Sequence, residues 1–77
     1  MSERQPRITS AELLRALRRE GWVVVRQVGS HVHLKHPDSG VRRITVPAHP
    51  GRTLKPATLA SILDEAGLTV ERLRRLL

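Results

Sequence analysis

The chain has 77 residues, 14 Lys and Arg against seven Asp and Glu, a formal charge of +7 and no cysteine. That length excludes a large enclosed active site with a separate substrate domain, because so small a domain buries only about 60% of the surface its unfolded chain exposes. Without cysteine there are no disulfides and no thiolate metal sites, and a cation excess made mostly of arginine selects a polyanionic partner: nucleic acid, an acidic protein or an anionic membrane surface.

Residues 1–7 are polar and read as a tail without a signal peptide, so residues 8–77 are expected to form one domain. The spacing of Thr9 and Glu12 predicts a helix start with a capping box, and Ile8 and Leu13 are spaced as a hydrophobic staple. Leu13, Leu14 and Leu17 then recur at helical spacing, Arg15, Arg18 and Arg19 take the wet side, and Gly21 suits the left-handed position that ends a helix. Trp22 to Val28 is rich in β-branched residues and predicts a strand, with Trp22 read as core. Gly29 and Ser30 make a tight connection to a second strand, His31 to Lys35. Its alternation sets Val32 and Leu34 on one face and His31, His33 and Lys35 on the other.

Pro37-Asp38-Ser39-Gly40 predicts a type I turn with a bulge. Arg42 to Val46 returns as a third strand, with Ile44 and Val46 inward and Arg43 and Thr45 opposite. Pro47 to Gly51 is a loop, and Pro56 suits the first turn of a second helix. Leu59, Ile62, Leu63 and Ala66 form that helix's apolar stripe and Gly67 ends it. Thr69 caps a short last helix with Val70, Leu73, Leu76 and Leu77 on its apolar side.

The expected class is therefore α+β: helix, three antiparallel strands, helix, short helix. Both longer helices need an apolar surface, which places them together on the Val32/Leu34 face of the sheet. His31, His33, Lys35 and Arg43 are left on the open face. The first strand adds either Trp22, Val24 and Arg26 or their alternates to it, and alternation alone does not decide which. The longest apolar run, Trp22 to Val25, is far too short to span a bilayer.

Four histidines, His31, His33, His36 and His49, supply proton-transfer groups near neutral pH. Metal-free RNA cleavage requires such groups: a base takes the ribose 2′-OH proton, an acid protonates the departing 5′ oxygen, and cations offset the charge growing on the phosphoryl oxygens. A face with His31, His33, Lys35 and nearby arginines has that inventory, and DNA lacks the 2′-OH. A His-x-His pair also suits zinc, but Asp38 is the one carboxylate near it in sequence, so no metal or other cofactor is expected. His36 is read as part of a solvated polar face. For His49 two readings stand side by side, a loop residue bonded to local backbone or an edge of the substrate site. The arginines of the first and last helices either decorate solvated faces or hold phosphates in a salt-dependent way. With Trp22 as the sole aromatic residue, RNA contact would run through phosphate and 2′-OH groups rather than base stacking.

Gly21-Trp22 followed by Arg26-Gln27-Val28-Gly29-Ser30-His31 resembles the "GW…RQ-x-GSH" stretch of HicA toxins, also described as YcfA-like proteins. His36-Pro37, the Val46-Pro47-Ala48-His49 segment and the run from Thr58-Leu59 through Ile62-Leu63 to Ala66-Gly67-Leu68 are similar to further family segments, so the likeness spans residues 8–68. It departs where the family often has Gly-Thr-Leu and this chain has Ala57-Thr58-Leu59 after Pro56. The resemblance implies a fold like the double-stranded-RNA-binding domain and metal-independent endoribonuclease activity on mRNA, the toxin's route to inhibiting translation and growth. It implies a catalytic role for His31, with Gly29 forming the turn that lets it project and Ser30 orienting it. A HicB-type antitoxin is the implied partner, covering the active face in the cytoplasm. Ser30, His33, Lys35, Arg26 and Arg43 are the expected RNA-binding or charge-stabilising residues; Lys35, His33 and solvent all stand as the acid. The competing expectations are a non-catalytic RNA-binding module of the same fold and a domain whose basic face only docks an acidic protein.

Overall fold

The computed structural model of the chain describes residues 4–39 and 42–77. Helix α1 spans Ser10–Arg19, and its start is the predicted capping box: the Thr9 hydroxyl accepts from the Glu12 N–H at 3.2 Å while the Glu12 carboxylate accepts from the Thr9 N–H at 2.9 Å. Ile8 and Leu13 are both buried, as a staple requires. The helix ends in a Schellman arrangement, with Gly21 N–H donating to the Arg18 carbonyl and Trp22 N–H to that of Leu17. Gly21 takes φ +104° there, a value that L side chains rarely adopt.

Strands β1 (Val23–Val28), β2 (His31–Lys35) and β3 (Arg43–Pro47) form an antiparallel sheet in the order β1-β2-β3. Trp22 therefore precedes the first strand, and it is buried as expected. A 3₁₀ turn covers Pro37–Ser39 on the way to β3, and Gly40, the last residue of the predicted turn, lies outside the described residues. Helix α2 spans Pro56–Ala66 with Pro56 in its first turn and Gly67 in the left-handed conformation at its end; α3 spans Val70–Leu76 behind a Thr69 cap.

The core lies between the helices and one face of the sheet. Val32, Leu34, Ile44 and Val46 meet Leu13, Leu17, Leu59, Ile62 and Leu63, all buried. Both α1 and α2 pack on β3, and α3 packs on α1 through the buried Leu73 and Leu76. Each such side chain contributes about 1.5–3 kcal/mol by leaving water, and packing on one face alone keeps the other open. The arrangement is α-β-β-β-α-α, compatible with the double-stranded-RNA-binding-domain fold, and the two longer helices share the face expected of them.

The first strand departs from simple alternation. Val24 pairs with Leu34 and Arg26 with His33, so Val25 is an extra residue, a β-bulge. The bulge splits the set Trp22, Val24 and Arg26: the first two turn toward the core, whereas Arg26 joins the open face. Neither of the two sets left open by alternation survives intact, because one inserted residue changes the parity of everything after it.

Candidate RNA-facing site

The site is built on three rungs of the open face. Register places Val28, His31 and Pro47 on one rung, Arg26, His33 and Thr45 on the next, and Val23, Lys35 and Arg43 on the last. His31 is the first residue of β2, directly after the Gly29-Ser30 connection. Gly29 has φ +56° and Ser30 does not have a positive φ, the pattern of a two-residue type II′ hairpin. His31 is exposed and makes no side-chain hydrogen bond among the described residues.

His33, two residues on and about 6.6 Å along the strand, is held. Its Nδ1 lies 3.0 Å from the Thr45 hydroxyl on β3. A hydroxyl both donates and accepts, so Thr45 keeps the ring in place in either protonation state and leaves Nε2 at the surface. Thr45 was legible only as an open-face residue of the third strand; its pairing with His33 follows from the register.

Lys35 and Arg43 stand opposite each other, both exposed, and no carboxylate occupies the three rungs. Like charges directly across a sheet destabilise it, which marks the pair as a place for an anion. Arg26 adds a third cation beside His33. The structure thus brings together His31, His33, Lys35, Arg26 and Arg43. Ser30 lies beside them and ties down the neighbouring loop: its carbonyl accepts the Ala48 N–H, and its side chain makes no hydrogen bond to His31.

His36 belongs elsewhere, and the reading of it as a solvated polar residue is corrected. Its Nε2–H donates to the Glu20 carbonyl at 3.0 Å and its Nδ1 accepts the Asp38 N–H at 3.1 Å, a pattern that fits the neutral ring. The ring also meets Trp22 edge-on, with centroids 5.3 Å apart. Several arginines are likewise engaged within the fold. Arg72 forms a bidentate pair with Glu20 (2.8 Å), Arg19 donates to the Leu76 carbonyl (2.6 Å), and Arg74 donates to that of Arg4. The Arg72 guanidinium holds the Glu20 carboxyl below its usual range.

Beyond the His31 rung, Ser10, Pro47, His49, Arg52, Thr53, Leu54, Lys55 and Thr58 line a groove of about 340 Å³. Sequence reasoning reached only His49 among these, because the others come from three segments joined by the fold. The joining contacts are a bridge between Thr9 and Thr53 and a hydrogen bond from Leu54 N–H to the Ile8 carbonyl. Among the described residues no group of three or more His, Cys, Asp or Glu side chains is placed to hold a metal ion, and no helix is long and apolar enough to cross a membrane.

Residues 10–68 match the family model of the HicA toxin of bacterial toxin–antitoxin systems. No curated protein matches the chain significantly.

Proposed function

The chain belongs to the HicA toxin family of bacterial toxin–antitoxin systems, and from that premise we propose that it is a metal-independent endoribonuclease that cleaves mRNA through His31. The observation that carries this reading is the pairing of His31 and His33 on one open strand face, with Arg26, Lys35 and Arg43 beside them and no carboxylate on the three rungs. One imidazole takes the 2′-OH proton and the other returns a proton to the 5′ oxygen. His33, steadied at Nδ1 by Thr45, is suited to the second role. The cations offset charge on the phosphoryl oxygens, and Ser30 sits at the turn that sets His31. Cleavage of mRNA in the cytoplasm stops translation and growth, and an acidic HicB-type antitoxin restrains it by covering the same basic face.

The test is cleavage of a labelled RNA by wild type and His31→Ala in chelator, beside the matching DNA. Wild type is expected to cut RNA and spare DNA, and His31→Ala to lose the activity while keeping its circular dichroism. An exposed strand position tolerates alanine within roughly 0.5 kcal/mol. Salt-sensitive binding without cleavage by either protein would replace this reading with a non-catalytic RNA-binding module, and a disordered His31→Ala protein would make His31 structural.

A further inference from the structure

The groove beside His49 has features that cleavage at His31 does not use. Among the described residues its cationic or protonatable side chains are His49, Arg52 and Lys55, all exposed, and no described carboxylate lines it. The N-termini of two helices open into it, α1 at Ser10 and α2 at Thr58. The α2 terminus has no side-chain cap, so its first N–H groups are available to an anion, whereas Thr9 and Thr69 fill that role on α1 and α3.

Ser10 supplies an independent pointer. It is only 5% exposed and lines the groove, yet its hydroxyl has no hydrogen-bond partner among the described residues. No fully sealed side-chain nitrogen or oxygen among those residues lacks a partner, so the Ser10 hydroxyl opens onto the groove. A hydroxyl on a largely buried residue, open to the groove and without a partner among the described residues, is what a polar recognition site offers a ligand.

The groove adjoins the cleavage face through the backbone. Pro47, one of its walls, is the cross-strand partner of His31, and the next residue, Ala48, is tied to the Ser30 carbonyl. Its size falls at the lower end of small-molecule sites, about 300–1,000 Å³. Pro47 and Leu54 give it an apolar lining against which a sugar can lie.

We propose that this groove is a nucleotide subsite, holding the phosphate and sugar of the RNA residue next to the phosphodiester at His31. Arg52, Lys55, the α2 terminus and the Ser10 and Thr58 hydroxyls take the phosphate. The RNA identity of the ligand rests on the ribonuclease reading; the phosphate chemistry does not.

The experiment follows backbone amide signals of the ¹⁵N-labelled full chain during titration with 5′-AMP, inorganic phosphate and adenosine. AMP is expected to give saturable shifts at Ser10, Arg52, Lys55 and Thr58, inorganic phosphate weaker ones, and adenosine none there. Arg52→Ala and Lys55→Ala, both at exposed positions, should each weaken AMP about tenfold with an otherwise unchanged spectrum. Ser10→Ala should weaken it too, and His31→Ala should leave it unaltered. Shifts spread over the arginines of α1 and α3, indifference to the groove variants, or adenosine binding equal to AMP would overturn the assignment. Inorganic phosphate binding as tightly as AMP would reduce the groove to an anion site and overturn the nucleotide reading. Because AMP is bound rather than cut, loss of ribonuclease activity and loss of this site are read separately.

Discussion

Gly29 and Gly21 both take positive φ, but their surroundings differ. A Cβ on Gly29 would meet nothing within 4 Å, whereas one on Gly21 would lie 2.8 Å from His36 Nε2. Gly29→Ala therefore carries only the backbone penalty of a positive φ, about 1–3 kcal/mol. Gly21→Ala carries a backbone penalty as well and also displaces the His36 ring from the Glu20 carbonyl and from Trp22. The expected order in chemical denaturation is wild type, then Gly29→Ala, then Gly21→Ala, with the last below the others by more than the conformational term alone. Equal losses would mean that His36 moves aside freely. The same neighbourhood explains why His36 was misread from sequence. Besides the nearby Asp38 N–H, the ring meets a backbone carbonyl 16 residues away and an indole, and neither of these leaves a periodic trace near residue 36.

The helices were legible because their signals are local. Thr9 with Glu12, Gly21 and Gly67 lie at the ends that they define, and the structure uses each one there. The second and third strands were legible because strict alternation survives along both. The first strand was not, because the bulge at Val25 is set by pairing with β2 rather than by any residue type at that position. Helix-end chemistry also yields a pH dependence. Glu12 is held below its usual carboxyl range first by the Thr9 N–H and then by the Thr9 hydroxyl, and Glu20 first by its hydrogen bonds from Arg72. A carboxyl lowered in the folded state contributes stability above its unfolded value, near 4.3 for Glu, and that contribution is lost as pH falls through the folded value. Thermal midpoints of the full chain should hold from pH 7 to about 5 and then decline as pH drops further. Thr9→Ala should lower stability by about 1 kcal/mol at pH 7 and make the acid decline shallower. An undiminished acid decline in Thr9→Ala would place it outside the capping box.

Charge is where the whole molecule is read differently from its composition. The formal +7 counts every arginine alike, but Arg19, Arg72 and Arg74 are spent on α1–α3 and N-terminal contacts, and Arg42 donates to the Glu65 carbonyl at 3.4 Å. Arg26, Lys35 and Arg43 share the open sheet face instead, where no carboxylate among the described residues pairs with them. Phosphate contacts release counterions, so binding to a single strand weakens with salt at a log–log slope of about −0.7 for each phosphate neutralised. Affinity of the uncleaving His31→Ala protein for a short unpaired RNA, measured across a salt series, should separate the two groups of cations. Adding Arg26→Ala or Arg43→Ala should flatten the slope by about 0.7 each. Arg72→Ala removes the same formal charge from a guanidinium already paired with Glu20 and should leave the slope unchanged. Equal flattening by all three substitutions would show that RNA responds to the net charge of the domain and not to the sheet face. That result would remove the face from the binding surface while leaving the fold as described.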